Sequence, residues 1–206
     1  MDQRLYLYPI WLRIWHGINA LMFLVLIATG ISMQYSNPDA PLIRFDLAVQ
    51  WHNITGIILS INYVIFVAGN LATGNGKFYL IQLKGFVQQI IKQITYYVSG
   101  HFKGEHTPFP VTASRKFNPL QKLTYVGAMY MLVPVIIITG LALLFPEFIV
   151  TKVFEFSGIY LTALLHGAVG FLLSLFLVIH VYFSTMGSTP GSNFKSMMNG
   201  WHEPHS

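Results

Sequence analysis

The sequence predicts an all-α protein, an integral membrane four-helix bundle with an additional amphipathic helix on the cytoplasmic side. Of the 206 residues, 54% are hydrophobic and only 9% are charged, and the mean hydropathy is +0.56. Four apolar stretches each have the roughly 20 residues that a helix needs to cross a bilayer. A soluble domain of this length carries far more charge. A single membrane domain covering residues 1–206 is therefore expected.

The four predicted spans cover about residues 10–33, 47–72, 123–144 and 158–184. The first span differs from a cleaved signal peptide. It is longer than the apolar region of such a peptide, it contains Arg13 and His16, and no small-x-small cleavage site follows it. The first span is therefore expected to remain as a membrane helix.

Positive charge is concentrated in one of the three connections. Seven basic residues lie between the second and third spans, whereas the other two connections hold only Arg44 and Lys152. The positive-inside rule then places both termini and the long connection in the cytoplasm, which predicts a multi-pass protein of a bacterial or archaeal inner membrane. Because topology explains the basic residues, the net charge of +5 does not indicate nucleic-acid binding. The seven residues are Lys77, Lys84, Lys92, Lys103, Arg115, Lys116 and Lys122.

An amphipathic helix is predicted within the long connection, over about residues 80–98. Apolar residues recur there at helical spacing, and mostly glutamine and lysine fill the opposite side, Gln93 among them. Such a helix is expected to lie on the cytoplasmic membrane surface. A short soluble helix packed on a partner subunit is an equally good interpretation. The stretch that follows, residues 100–115, predicts a loop that exposes His101 and His106.

Cysteine is absent from the sequence. This excludes disulfides, thiolate-ligated zinc and iron–sulfur clusters within the chain. It also excludes covalent c-type haem, which needs the C-x-x-C-H motif. Any haem in this chain is therefore expected to be b-type and held without a covalent bond.

Four histidines lie inside the predicted spans: His16, His52, His166 and His180. An ionisable side chain in hydrocarbon is costly, so each of them indicates a functional site. His180 follows His166 by 14 residues, which corresponds to about 21 Å of helix rise and about 40° of helix rotation. Span four therefore presents two histidines on one side at two depths.

The direction of each span sets the depth of its histidine. His16 lies near the cytoplasmic start of span one, and His180 lies near the cytoplasmic end of span four. His52 and His166 both lie towards the outer face. The depths therefore predict two pairs of iron ligands, His52 with His166 and His16 with His180, that hold two b-type haems.

A small residue follows each histidine by one turn, on the same helix face. These residues are Ala20, Gly56, Gly170 and Ser184. A porphyrin lying against a helix needs such space, although small residues also let helices approach closely in lipid.

Three other interpretations of the histidines are weaker. Each histidine alone could bond a neighbouring helix. Zinc sites need three or four ligands at one point, whereas two lie at each depth here. A proton relay usually includes intramembrane carboxylates, and the four predicted spans contain none.

Bis-histidine ligation predicts electron transfer, because both axial positions of the iron are filled. Arg13, three residues before His16, is expected to reach a haem propionate or, equally, to be a boundary charge at the membrane surface.

A quinone site is predicted at the cytoplasmic start of span three. Asn118 and Gln121 can hydrogen-bond a quinone carbonyl, and His180 can contribute through its haem. The same residues can form a capping box, with Asn118 as the N-cap and Pro119 as the first helical residue. The two roles do not exclude each other.

With these residues in place, the chain resembles the four-helix di-haem cytochrome b family. This family includes the gamma subunit of membrane-bound formate dehydrogenase, the b-type cytochrome of nickel–iron hydrogenases and the thiosulfate-reductase cytochrome b. The histidine spacing is the specific part of the resemblance. Its segments are Arg13-Ile14-Trp15-His16, His52, Lys116-Phe117-Asn118-Pro119-Leu120-Gln121-Lys122, His166-Gly167 and His180-Val181-Tyr182.

The resemblance implies two b haems on His16, His52, His166 and His180. It also implies a quinone, either menaquinone or ubiquinone, near the cytoplasmic haem beside Asn118 and Gln121. Relatives anchor an iron–sulfur subunit and an outward-facing catalytic subunit. The implied role is an electron-transfer subunit of a quinone-linked respiratory oxidoreductase complex. The chain is shorter than typical hydrogenase cytochromes, which favours the formate-dehydrogenase or thiosulfate-reductase branch.

Two other functions stay open from the sequence. The first is a stand-alone b561-type cytochrome that oxidises quinol for a small diffusible acceptor. The second is a haem-free scaffold or small transporter, in which the histidines only join helices.

Overall fold

The computed structural model describes residues 4–37, 39–187 and 189–202. Within this part of the chain, four helices are long and apolar enough to cross a membrane: Ile10–Tyr35, Phe45–Thr73, Pro119–Leu144 and Gly158–Ser184. The all-α membrane class is confirmed. Each helix covers its predicted span, and the third begins four residues earlier because it has its own N-terminal cap.

The remaining elements are short. The helices are α1 Ile10–Tyr35, α2 Phe45–Thr73, α3 Phe86–Thr95, α4 Pro119–Gly127, α5 Val133–Leu144, α6 Gly158–Ser184 and α7 Ser192–Asn199. The strands are β1 Leu5–Tyr6, β2 Lys152–Val153, β3 Phe156–Ser157 and β4 Trp201–His202. Single 3-10 turns cover Asn75–Tyr79, His101–Lys103 and Pro146–Phe148, and π-helical turns cover Tyr96–Gly100 and Ala128–Leu132.

The third membrane helix is built from α4, a π-helical turn and α5. The turn Ala128–Leu132 ends two residues before Pro134. Proline has no backbone N–H to donate to the preceding turn, so a local change of helical pitch is expected there. The helix nevertheless continues to Leu144.

Large apolar side chains cover the outer surfaces of the four long helices. Leu24 is 58% exposed, Ile138 is 66% exposed and Phe171 is 69% exposed. Exposed apolar side chains along most of a helix are unfavourable in water and favourable in lipid. The exposure pattern therefore agrees with a membrane location for these helices.

The chain forms two compact units. The first unit consists of Met1–Arg13, Gly69–Met131 and Val178–Ser206, and the second of Ile14–Ala68 and Leu132–Leu177. The first unit holds the long connection between α2 and α4, and the second holds the two short connections.

In the second unit, α1 and α2 are joined by a tryptophan. The indole of Trp15 donates to the carbonyl of Asn62 at 2.9 Å, and its ring stacks on Phe66 with 4.5 Å between centroids. The short hairpin of β2 and β3 leads directly into α6 at Gly158. A Cβ at Gly158 would lie 1.8 Å from the carbonyl oxygen of Val150, so only glycine fits there.

In the first unit, the two described chain ends are paired. Strand β1 lies antiparallel to β4, with Leu5 opposite His202 and Tyr6 opposite Trp201. Trp11 of α1 lies against Gly69 of α2, where a Cβ would come within 2.6 Å of the indole ring. Glycine therefore permits the close approach of these two helices.

The long connection differs from its predicted structure in two respects. Helix α3 begins at Phe86 rather than near residue 80, because Gly85 adopts a left-handed conformation with φ 72°. Gln93, predicted on the polar side, is only 1% exposed. Gln88 and Lys92 of the polar side are exposed as predicted, and an apolar side made of Val87, Ile91, Ile94 and Val98 is exposed as well. This side of α3 therefore suits a lipid surface or another apolar partner.

Candidate haem site and neighbouring polar clusters

The imidazole rings of His52 and His166 face each other in the second unit. Their centroids lie 6.2 Å apart, and their planes are inclined by 69°. Two metal–nitrogen bonds of about 2 Å, each extended by about 1.1 Å from nitrogen to ring centre, add up to about 6 Å. The spacing therefore fits an iron atom held between the two rings.

A threonine hydroxyl orients His52. Thr29 Oγ1 lies 2.9 Å from His52 Nδ1 and donates its own proton to the carbonyl of Val25 at 2.7 Å. Because a hydroxyl has only one proton, Thr29 accepts from His52, and Nδ1 is the protonated nitrogen. This tautomer leaves the lone pair of Nε2 available for a metal.

His166 has the same arrangement on the opposite side. Thr139 Oγ1 lies 3.0 Å from His166 Nδ1 and donates to the carbonyl of Val135 at 2.8 Å. His166 is therefore also protonated at Nδ1 and able to coordinate through Nε2. Thus α1 positions the histidine of α2, and α5 positions the histidine of α6.

Glycines give both rings their space. Gly30 follows Thr29, and a Cβ there would lie 3.5 Å from His52 Cε1. Gly140 follows Thr139, and a Cβ there would lie 3.1 Å from His166 Cε1, close enough to push the ring. At Gly56, one turn after His52, an added Cβ would meet no atom within 4 Å. The helix surface beside His52 is therefore open enough for a flat group.

These threonine–glycine pairs were missed by the sequence analysis. The signal was the repeated Thr-Gly dipeptide in the first and third spans, Thr29-Gly30 and Thr139-Gly140. Span three contributes no histidine, as predicted, but it does contribute Thr139 to the site.

His16 and His180 lie in different units. His16 belongs to the second unit, next to Trp15, with 6.5 Å between the ring centroids. His180 belongs to the first unit, where Tyr125 packs edge-on against it at 5.6 Å. The pairing of these two histidines stays a prediction from the sequence.

Arg13 lies in the first unit, against the end of α7. Its guanidinium donates to the carbonyl of Met198, one of the last carbonyls of α7. A cation stabilises the C-terminal end of a helix. The sequence did not anticipate this contact, and the predicted propionate contact of Arg13 stays a prediction.

Asn118 and Gln121 form the predicted capping box. The Asn118 side chain accepts from Gln121 N at 2.9 Å, and the Gln121 side chain accepts from Asn118 N at 3.1 Å. The cap is confirmed. The Asn118 amide group also donates to the Tyr97 hydroxyl at 2.9 Å, a contact that joins the start of α4 to the π-helical turn that follows α3.

Lys116 is a buried cation in the first unit. It is 7% exposed, it donates to Asn75 Oδ1 at 2.7 Å, and it lies 4.3 Å from the centre of the Phe78 ring. Burial, assisted by the positive charge of Lys77, lowers the pKa of Lys116 to about 8. In the described part of the chain, no carboxylate pairs with it.

The described side chains do not provide the ligand set of a zinc site. Among the described residues, no three histidine, cysteine or carboxylate side chains come together, whereas zinc sites need at least three protein ligands. Two facing imidazoles are instead the ligand set of a six-coordinate haem.

The fold and the facing imidazoles define a class of protein, a membrane protein built to hold b-type haem. Residues 7–200 match the family described as Prokaryotic cytochrome b561, and the chain belongs to this family. It is therefore a cytochrome b561-type integral membrane haem protein.

A relative supports the same assignment. The chain is 37% identical over 201 residues to the protein named "Putative cytochrome YdhU" from Escherichia coli (strain K12). The matched region covers 97% of this chain and 75% of that protein.

Proposed function

We propose that the protein is a di-haem membrane anchor that transfers electrons between an outward-facing oxidoreductase and the quinone pool. In this proposal, His52 and His166 bind the outer haem, and His16 and His180 bind the inner haem. A bis-histidine haem supplies one-electron transfer at an iron that has no open position for substrate. The finer likeness to the formate-dehydrogenase and thiosulfate-reductase subunits belongs to this proposal.

The geometry of His52 and His166 carries the proposal. The two rings have the spacing of ligands on opposite sides of one metal, 6.2 Å. Each ring is also held in the tautomer that coordinates through Nε2. A histidine that serves only to join helices does not need a facing partner at this distance.

The quinone end is proposed in the first unit, beside Asn118. The capping box uses the side-chain oxygens of Asn118 and Gln121, which accept from the backbone N–H groups of Gln121 and Asn118, respectively. An amide nitrogen has two hydrogens, and one of those on Asn118 goes to Tyr97. The second amide hydrogen of Asn118 and the amide nitrogen of Gln121 can each donate to a quinone carbonyl.

In the proposed orientation, both termini and the long connection face the cytoplasm. The long connection holds seven basic residues, and positive charge is retained on the cytoplasmic side of a membrane. The two short connections then face outward, towards an iron–sulfur subunit and a catalytic subunit.

The experiment is a haem count and a quinol-reduction assay on the purified full-length protein. We expect about two b haems per chain, both reduced by an added quinol, and an iron–sulfur protein that co-purifies from native membranes. A colourless protein despite adequate haem supply would contradict the haem assignment. Haems that no quinol reduces would contradict the quinone role.

Co-purification separates the anchor from a stand-alone cytochrome. An anchor passes electrons to its bound partner and is expected to reduce small diffusible acceptors slowly by itself. Full turnover with such an acceptor in the absence of other subunits would favour the stand-alone alternative.

A further inference from the structure

A buried acceptor in α3 is left without a hydrogen bond. Gln93 is 1% exposed, and its Oε1 atom accepts from none of the described residues. Buried polar atoms are almost always bonded, and an exception in a native structure calls for an explanation. A ligand with a hydroxyl group would supply the missing donor.

Tyr97 lies one turn further along the same helix face and offers a donor. Its hydroxyl accepts from the Asn118 amide at 2.9 Å, so the phenol proton is directed elsewhere. Burial raises the pKa of Tyr97, and this effect is larger than the opposing hydrogen bonds from Asn118 and Gln93. The phenol therefore keeps its proton at neutral pH and remains a donor.

The two groups lie beside the helix that carries His180. Tyr97 packs against Phe183, with 4.8 Å between ring centroids, and Phe183 follows His180 by three residues. Gln93, Tyr97, Asn118 and Phe183 all belong to the first unit. Tyr97 is also part of the π-helical turn Tyr96–Gly100, a distortion that is frequent at functional sites.

We propose that Gln93 and Tyr97 bind the head group of the quinone together with Asn118. The Tyr97 hydroxyl donates to a ring oxygen of the head group, and Gln93 Oε1 accepts from the hydroxyl of the reduced form, the quinol. A quinol oxygen both accepts and donates, which matches a donor and an acceptor one helical turn apart. This inference rests on the proposed quinone role and assigns residues that the sequence did not indicate.

The competing explanation is internal. A flip of the Gln93 amide group would let Oε1 accept from the Tyr97 hydroxyl, and the pair would then only stabilise the fold. This explanation predicts a loss of thermal stability, with no change in quinol affinity, when either side chain is replaced.

The test uses the haem-loaded full-length protein in lipid nanodiscs, with decylubiquinol and menadiol as alternative probes. Gln93→Leu and Tyr97→Phe are compared with two matched controls, Gln88→Leu on the exposed side of α3 and Tyr96→Phe. Haem reduction is followed by stopped-flow absorption, and haem content and thermal stability are measured in parallel. If Gln93→Leu loses haem, Gln93→Met replaces it.

We expect each site variant to raise the half-saturating quinol concentration about tenfold, the loss that corresponds to one hydrogen bond. Haem content should stay normal, and the controls should change less than twofold. Unchanged half-saturation in both site variants would overturn the inference.

Asn118→Ala distinguishes the two levels of the proposal. If Asn118→Ala impairs quinol reduction and the Gln93 and Tyr97 variants do not, this inference fails while the proposed quinone function stands. If neither quinol reduces the wild-type haems, both fail.

Discussion

The histidine site of the second unit and the polar cluster of the first unit satisfy their polar groups differently. Around His52 and His166, each Nδ1 has a threonine partner, and what remains is one coordinating nitrogen on each ring. Around Tyr97, the Asn118 amide is bonded, but Gln93 Oε1 accepts nothing from the described residues. The first arrangement suits a group that stays bound, and the second suits a molecule that binds and leaves.

This difference agrees with the two roles proposed above. A permanent cofactor benefits from ligands whose orientation is fixed in advance by surrounding hydrogen bonds. An exchangeable ligand needs donors and acceptors that it can satisfy itself, at some cost in stability when it is absent.

Removal of the imidazole of His52 or of His166 should abolish the proposed outer haem site. We expect His52→Ala and His166→Ala to lose one of the two haems, about half of the b-type absorption, because the iron loses an axial ligand. His101→Ala, in the exposed part of the long connection, is the control. Full haem content in both histidine variants would show that this pair does not hold a haem.

Asn118 combines a cap with a donor, and two substitutions separate these roles. Asn118→Asp keeps a good capping oxygen but removes the amide donor, so quinol reduction should fall several-fold with little loss of stability. Asn118→Ala should lose the cap as well, at about 1 kcal/mol of stability. Quinol kinetics and thermal unfolding of the two variants provide the measurement. Unimpaired quinol reduction in both would leave Asn118 with the cap alone.

Thr29 and Thr139 should change the reduction potential of the proposed outer haem without being needed for its binding. In Thr29→Val and Thr139→Val, the imidazole loses its hydrogen-bond acceptor and becomes a weaker electron donor to the ferric iron. One hydrogen bond of about 1 kcal/mol corresponds to a rise of about 40 mV in the one-electron reduction potential.

A redox titration checks this shift. Thr73→Val is the matched control, because Thr73 also donates to the carbonyl four residues before it but is an exposed residue of the first unit. An identical potential in wild type and both site variants would show that the threonine hydrogen bonds do not influence a haem at this site.

Lys116 should affect stability alone, through a pH dependence at alkaline pH. Its pKa is lowered from 10.5 to about 8 in the folded protein, so between these values the unfolded chain binds more protons than the folded chain. Stability should therefore rise with pH from about 8 to about 10.5 relative to Lys116→Met. Thermal unfolding of both proteins in detergent measures the difference, and parallel curves would contradict it.

Much of the fold followed from the sequence because lipid imposes simple requirements. Four apolar stretches of sufficient length are stable in lipid only as membrane-spanning helices, because every backbone polar group must be bonded within the helix. The capping box at Asn118 is a local pattern that needs no tertiary information. The start of α3 was placed too early because periodicity extends through Gly85, whereas the left-handed conformation of that glycine ends the pattern.

The parts of the site that the sequence did not show depend on contacts between distant segments. Thr29 and His52 are 23 residues apart, and Thr139 and His166 are 27 apart. A threonine in a membrane helix usually bonds its own backbone, so its second role becomes visible only when the neighbouring helix is in place. Gln93 was assigned to the polar side of α3 for a similar reason, since helical spacing alone does not show which side faces the protein.

The proposed ligation of one haem by His52 and His166 can be measured directly by electron paramagnetic resonance of the oxidised His180→Ala protein, in which the proposed inner site is predicted to lose its haem. Two imidazoles with planes inclined by 69° predict a low-spin ferric signal with strong anisotropy. A high-spin signal marks an iron without a second imidazole. Such a signal, or the absence of any ferric haem signal, would show that His52 and His166 do not bind one iron together.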